Sequence, residues 1–373
     1  MNNSYPAFDS SEFEVISTHP SSIAVSMIPG ADPAQMPPEP IYNRPITPRE
    51  NLRRALSGET PCWMPQTGWA FCDVNNFRPR LIPDNYATHL VLDGEDTIEY
   101  DSLTKRGWFG LDWVFVPQAG GATVQPGHPL ITDMNDWEKL IQWPDLDALD
   151  WKGMGEKNKS YLDTPQFNEL GILDGFWERL ISLMDVSGAA MALIDEDQQD
   201  AVKAFFDKYA DFLIDYIRRA KEVCAIDGIL IHDDWGTQNG PFFSLDTARE
   251  MLVPYIKRVV DYIHSEGMFY EQHSCGNCTK LVPAYIEIGI DFWNPQPMND
   301  IEAILKQCRG TRLHLAIDTD PIPETASEEE IRQAARDFVS RYKDENVFFT
   351  SMTPNPIFLQ ELYASSRKAY KDR

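Results

Sequence analysis

Between residues 228 and 371 the chain alternates a short apolar, β-prone run with an amphipathic run five times, and few folds accommodate that rhythm. GILIH (228–232) precedes a helical pattern near 246–265, and MFYEQ (268–272) precedes one near 280–288. IDFWN (290–294) leads into a helix opened by Asn299 or Asp300. RLHLAI (312–317) is followed by a helix that Ser327 and Glu330 can box, and NVFFT (346–350) by a last one near 357–371. Short β-branched and aromatic runs bounded by turn residues read as strands, and apolar residues three and four apart read as helices. Repeated βα units require a parallel sheet. No Gly-x-Gly-x-x-Gly follows any of these strands, so a closed (β/α)8 TIM barrel, an α/β fold, is expected in preference to a doubly wound sheet.

Upstream, CWMPQTG (62–68) and DWVFVPQ (112–118) read as further strands. QDAVKAFFDKYADFLIDYIRRAKEV (199–223) reads as a long helix with an apolar stripe of Val202, Phe205, Phe206, Tyr209, Phe212, Leu213 and Tyr216. The stretches 80–110 and 145–180 read as insertions with helices of their own. Residues 1–45, rich in Pro and Ser and without periodicity, read as an extended N-terminal arm preceding a barrel over 46–373. The body opens at Thr47, an N-cap with Pro48 at the first helical position and Glu50 three residues after the cap, and Gly58 ends that helix.

Charge narrows the function. With 33 basic against 58 acidic residues the net charge is −25, which disfavours nucleic acid and anionic membranes as partners. No run approaches the roughly 20 apolar residues of a membrane span. MNNSYPAFDSSEFEV lacks a basic start and an apolar core, so a cytoplasmic location is expected. Six cysteines are too sparse for a disulfide framework. The one close pair, Cys275 and Cys278, therefore suggests metal or redox chemistry. Oligomeric state stays open, a homodimer among the options.

Barrel enzymes hold their chemistry at the C-terminal ends of the strands. That rule selects His232, Asp233, Asp234, Gln238 and Asn239 after one strand, and Gln272, His273, Cys275 and Cys278 after the next. It then selects Asn294, Gln296 and Asn299, then Asp318 and Asp320, then Ser351 and Thr353. His273, Cys275 and Cys278 form H-x-C-x-x-C. Imidazole and thiolate are preferred zinc donors, and three protein ligands leave a fourth position for substrate. The competing reading is a rim loop with a buried cysteine and a satisfied histidine. Asp233 and Asp234 point to opposite sides of an extended strand, so one of them enters the mouth as acid, base or orienter of a ligand histidine, unless both cap the next loop. Gln238 and Asp318 are further catalytic candidates, and Trp235, Asn294 and Gln296 are candidates for contacting substrate.

From Thr47 onward the chain resembles the uroporphyrinogen decarboxylase superfamily. RENLRRALSGETPCWMP, HDDWGTQNGPFFS, HSCGN, IEIGIDFWNPQPMNDI and AIDTDP occur in the order that superfamily shows. The resemblance implies a TIM-type barrel with its cleft at the strand C-termini. Its decarboxylases carry an R-Q-A-G-R segment that grips substrate carboxylates, where this chain has MPQTGWAFCD without arginine. Its corrinoid-linked methyltransferases place zinc on an H-x-C pair, matched here by His273 and Cys275. The third ligand of those enzymes is a cysteine near the C-terminus, where this chain reads SMTPNP (351–356). Cys278, an oxygen ligand such as Glu271 or an aspartate takes that place, or zinc does not bind. The resemblance implies methyl transfer between a small O-, N- or S-methylated substrate, a methoxylated aromatic among the candidates, and the cobalt of cobalamin or another corrinoid on a separate protein. One rival is a decarboxylase or lyase of the same fold without metal. The other is a non-catalytic corrinoid- or ligand-binding barrel, whose mouth would be dry and filled.

Overall fold

The computed structural model describes residues 5–19, 38–68, 73–77, 104–106, 108–116, 121–351 and 355–371. In chain order, β1 (Val15–His19) and β2 (Glu39–Tyr42) make an antiparallel pair ahead of α1 (Pro48–Leu56). Thr47 Oγ1 accepts from Glu50 N at 3.1 Å, the cap its sequence implies, and Pro48 occupies the first turn. The strands β3 (Gln66–Gly68) and β4 (Val74–Phe77) follow. A separate antiparallel sheet comes next: β5 (Thr104–Arg106), β6 (Asp112–Val116) and β7 (Gly121–Val124). Then come α2 (Trp137–Leu140), α3 (Trp151–Leu162), β8 (Phe167–Ile172), α4 (Phe176–Ala192) and α5 (Gln199–Val223).

The C-terminal half holds the five anticipated units. They are β9 (Gly228–His232) with α6 (Leu245–Met251) and α7 (Val253–Ser265), β10 (Phe269–His273) with α8 (Val282–Ile288), and β11 (Phe292–Trp293) with α9 (Ile301–Cys308). β12 (His314–Ile317) with α10 (Glu328–Tyr342) and β13 (Val347–Ser351) with α11 (Pro356–Lys371) complete it. Eight parallel strands in the order β3-β13-β12-β11-β10-β9-β8-β4 wind into a nearly closed barrel. Its two edges meet where Asp73 N, just ahead of β4, donates to Gln66 O at 2.6 Å. The fold is a (β/α)8 barrel.

Three expectations are corrected. DWVFVPQ supplies a strand, β6, but in the small antiparallel sheet and not in the barrel. Two barrel strands are missing from the sequence reading, the short β4 and β8, the latter inside the stretch read as an insertion. Every residue of FNELGI is buried, and its polar members are held from within: Asn168 Nδ2 donates to Leu162 O at 2.9 Å, and Asn76 Nδ2 to Glu169 Oε2 at 3.0 Å. Buried but satisfied polar groups erase the hydrophobic pattern that marks a strand. The helix expected near 246–265 is two helices joined at Leu252, because Pro254 has no N–H for the carbonyl a turn earlier. Most of the 80–110 stretch lies outside the described residues.

Packing fixes which end of the barrel is open. Leu52 and Leu56 of α1 join Val74, Phe167, Phe292 and Phe348 in a buried cluster that plugs the N-terminal end. The α5 stripe is buried as its spacing implies, Phe212 only partly. Among the described residues no helix is long and apolar enough to cross a membrane.

Candidate metal centre

β9 and β10 run side by side in register, pairing His232 with His273, and the two rings lie tilted by 35° with centroids 4.4 Å apart. Immediately beyond, the adjacent aspartates part as pleating demands. Asp233 turns into the barrel wall, 1% exposed, where its carboxylate accepts from Phe176 N (3.2 Å), Glu178 N (2.9 Å) and Trp235 Nε1 (2.8 Å). It caps α4, whose own N-cap, Gly175, has no side chain; a Cβ there would meet Asp233 Cβ at 2.4 Å. Burial pushes this carboxyl up to about 7. Trp235 is fully buried between Phe243 and Tyr285. The expectations that Asp233 acts as a catalyst and that Trp235 touches substrate are corrected to wall positions, because each is consumed by packing and by hydrogen bonds to the other.

Asp234 takes the opposite side and enters the mouth. Its Oδ1 accepts from Cys275 N at 2.6 Å and lies 3.6 Å from His273 Nε2, which is 3.4 Å from Cys275 Sγ. One ligand atom from each of Asp234, His273 and Cys275 lies within 4.8 Å of the others. Burial, then the charge of Asp234, pushes the Cys275 thiol up to about 12. The side chains of His273 and Asp234 are 24% and 34% exposed, so both reach solvent.

The loop carrying Cys275 is built around Gly276. Its φ is +82°, a region costly for other residues, and a Cβ there would sit 2.2 Å from the backbone of Gly236. Asn277 N then bonds Thr237 O at 2.7 Å, clamping the loops after β9 and β10 together. Gln296 braces the loop by accepting from Gly276 N (2.7 Å) and donating to Cys275 Sγ (3.4 Å). Asn299 accepts from Cys278 N at 2.8 Å and donates to Gly276 O at 2.9 Å, while Asp300 caps α9.

Cys278 stands apart from the cluster. Its sulfur is fully buried, 3.2 Å from Ser274 Oγ and 3.8 Å from Cys275 O, at the start of the turn leading to α8, so its expected place among the metal donors is corrected. Gln238 is exposed on a turn closed by Thr237 and Gly240. Asn294 Nδ2 bonds Ala316 O at 2.7 Å. Asp318 is exposed after β12, accepting from Thr319 N at 2.7 Å, and lies outside the Asp234 group.

Two acidic residues, Glu178 and Glu169, are not anticipated from the sequence, and Glu271, one of the oxygen ligands anticipated there, lies outside the Asp234 group. Glu178, in the first turn of α4, neighbours Asp234; burial and the charges of Asp234, Asp174 and Asp233 hold its carboxyl well above the usual range. Deeper in the barrel, Glu169 of β8 faces Glu271 of β10 and the two carboxyls are hydrogen-bonded to each other; burial raises both, the charge of Glu169 raises Glu271 further, and the bonds from Glu271 and Asn76 temper the rise of Glu169. Recognising 167–172 as a barrel strand would have brought Glu169 and Glu178 into view, one on that strand and one just after it.

Residues 165–352, half of the chain, match the profile of the uroporphyrinogen decarboxylase (URO-D) family. The chain belongs to this family. Among solved structures, this URO-D member is similar to a methyltransferase from Methanosarcina mazei, with a TM-score of 0.53 and 17% identity over 88% of this chain and 98% of that one. A B12-independent methionine synthase from Shewanella sp. W3-18-1 aligns with a TM-score of 0.38 and 12% identity over 73% of this chain and 75% of that one. At 17% identity the likeness to the Methanosarcina mazei protein describes the fold alone. No curated protein sequence matches.

Proposed function

We propose that this URO-D family member is a zinc-dependent methyltransferase moving a methyl group between a small substrate and the cobalt of a corrinoid carried by a separate protein. One observation carries the reading: a carboxylate, an imidazole and a thiol, each partly exposed, gathered within 4.8 Å at the C-terminal ends of β9 and β10. This is a zinc donor set with a coordination position to spare. Asp234 supplies the third donor, in place of the cysteine that the family resemblance puts near the C-terminus. A thiol pushed to about 12 is protonated at neutral pH, and a divalent cation is the partner that brings it to thiolate. The similarity in fold to the Methanosarcina mazei methyltransferase supports the same reading.

A zinc ion, for which Asp234, His273 and Cys275 would be the ligands, would supply the Lewis acidity that lowers the pKa of a substrate thiol or hydroxyl. The chain's own residues supply the rest. Gln296 and the Asp234 carboxylate orient Cys275 from either side. Glu178, whose carboxyl is held well above the usual range by burial and the charges of Asp234, Asp174 and Asp233, stands beside Asp234 as the candidate proton donor to a departing heteroatom. Decarboxylation of a polycarboxylate is disfavoured, because none of the eight barrel strands carries a lysine or arginine.

The test is metal analysis of protein purified without added zinc, beside His273→Ala and Cys275→Ser. Stoichiometric zinc in the wild type and its loss in both variants is the expected result. Methyl transfer from candidate donors to cob(I)alamin, followed by absorbance, completes it. Metal-free wild type that takes up no added zinc sinks the proposal.

A further inference from the structure

The last residue of β9 places a second imidazole beside the ligand group, and the donor set does not include it. His232 and His273 are in-register partners on adjacent parallel strands, so their side chains leave the same face of the sheet about 4.8 Å apart. The ring centroids are closer than that, 4.4 Å apart with the planes inclined by 35°. That separation is too short for two rings set edge to edge, so their faces are in contact. The gathered ligand atoms come from Asp234, His273 and Cys275, and none from His232. His232 therefore covers the His273 ring, whose Nε2 lies 3.6 Å from Asp234 Oδ1 and 3.4 Å from Cys275 Sγ.

Both rings stand on fixed backbone. His232 O accepts from Gly175 N at 2.6 Å, and His273 O accepts from Asp233 N at 3.0 Å and from Gln272 Nε2 at 3.1 Å. Backbone position alone leaves the ring plane of a histidine open, because its χ2 torsion has broad minima. A histidine that binds a metal needs that plane held, and the groups touching the ring from outside the ligand set do this.

We infer that His232 is a positioning residue: its ring, packed on the His273 ring, sets the plane of His273 and hence the direction in which Nε2 meets a metal shared with Asp234 and Cys275. The inference rests on the metal reading of the site for its consequence, and the ordering of the His273 ring is testable without metal.

Two variants separate ring from bulk. His232→Phe keeps a flat ring without nitrogens, and His232→Leu keeps apolar volume without a ring. Cobalt(II), a spectroscopic stand-in for zinc, is titrated into the metal-free full chain and followed by its d–d and thiolate charge-transfer absorption. His232→Leu is expected to weaken cobalt binding about tenfold or more and to change the d–d band shape, whereas His232→Phe is expected to keep the wild-type affinity and spectrum. In metal-free protein the His273 ring resonances, assigned by their loss in His273→Ala, are expected to be sharp in the wild type and in His232→Phe and broadened in His232→Leu. The inference is overturned if His232→Leu binds cobalt as the wild type does, if His232→Phe is impaired as well, or if the His273 resonances stay sharp in His232→Leu. The phenylalanine variant still decides if the leucine variant does not fold. A wild type that takes up no cobalt, with a His273 ring that loosens in His232→Leu, would remove the proposed function and leave the positioning role. Cobalt bound equally by all three proteins would do the reverse, so the two failures are distinguishable.

Discussion

Asp233 and Asp234 are neighbours with opposite duties, and their variants separate the two. Asp233→Ala removes the acceptor for two α4 amides and for Trp235 Nε1, so chemical denaturation is expected to show a loss of about 1–3 kcal/mol with zinc retained. Asp234→Asn keeps the shape of a partly exposed side chain but removes a charged donor, and is expected to lower zinc content at nearly unchanged stability. If Asp234→Asn holds zinc as the wild type does, the third donor is another group. Of the donors, His273 and Cys275 are legible in the sequence because both stand on one short loop after a strand. Cys278 is equally close in sequence and is turned away by the start of the following turn. Asp234 is 39 residues before His273, and only the register of β9 against β10 brings them together.

At the scale of elements, the loops after β9 and β10 act as one unit because their glycines touch. Gly276→Ala forces a side chain into a left-handed φ, at about 1–2 kcal/mol from the backbone alone, and against the Gly236 backbone. Loss of stability and of bound zinc together is the expected outcome, measured by thermal unfolding and metal analysis. Retention of zinc would show that the clamp does not position Cys275. At the opposite end, Leu52→Ala opens a cavity in the plug formed by α1 and is expected to cost about 2–5 kcal/mol in denaturant unfolding, without altering metal content. The helix caps at Thr47, Asp300 and Ser327 are all readable, since a cap is a local bond within four residues. The strand β8 is not readable in that way: its polar residues find partners far along the chain, and single-sequence periodicity registers them only as interruptions.

Across the whole molecule the chain's beginning is tied to its end. Glu12 accepts from Arg367 Nε and Nη2, both at 2.8 Å, and from Tyr363 Oη, with Glu12 6% and Arg367 1% exposed. Burial works against ionisation of Glu12, yet the hydrogen bonds from Arg367 and Tyr363 hold its carboxyl below the ordinary 4.5. A carboxyl lowered in the folded state stabilises above its unfolded value, and that contribution disappears as pH falls below it. Hydrogen exchange of residues 5–19 is therefore expected to accelerate below about pH 4.5, and Glu12→Gln to do the same at neutral pH, with about 3–5 kcal/mol lost for the broken pair. Unchanged exchange in the variant would mean that the aromatic contacts of Phe8 and Phe13 with Tyr363 suffice to hold the segment. By itself the sequence determined the five C-terminal βα units, the His273–Cys275 loop and the absence of cations along the strands, because strand, helix and loop signals are local and charge is additive. Tertiary structure alone decided that β8 stands in the barrel between β9 and β4, that Asp234 and not Cys278 joins the cluster, and that Glu169 meets Glu271. Each of those depends on which face of a strand a residue occupies and on which strand lies beside it, and both are properties of register in a closed sheet.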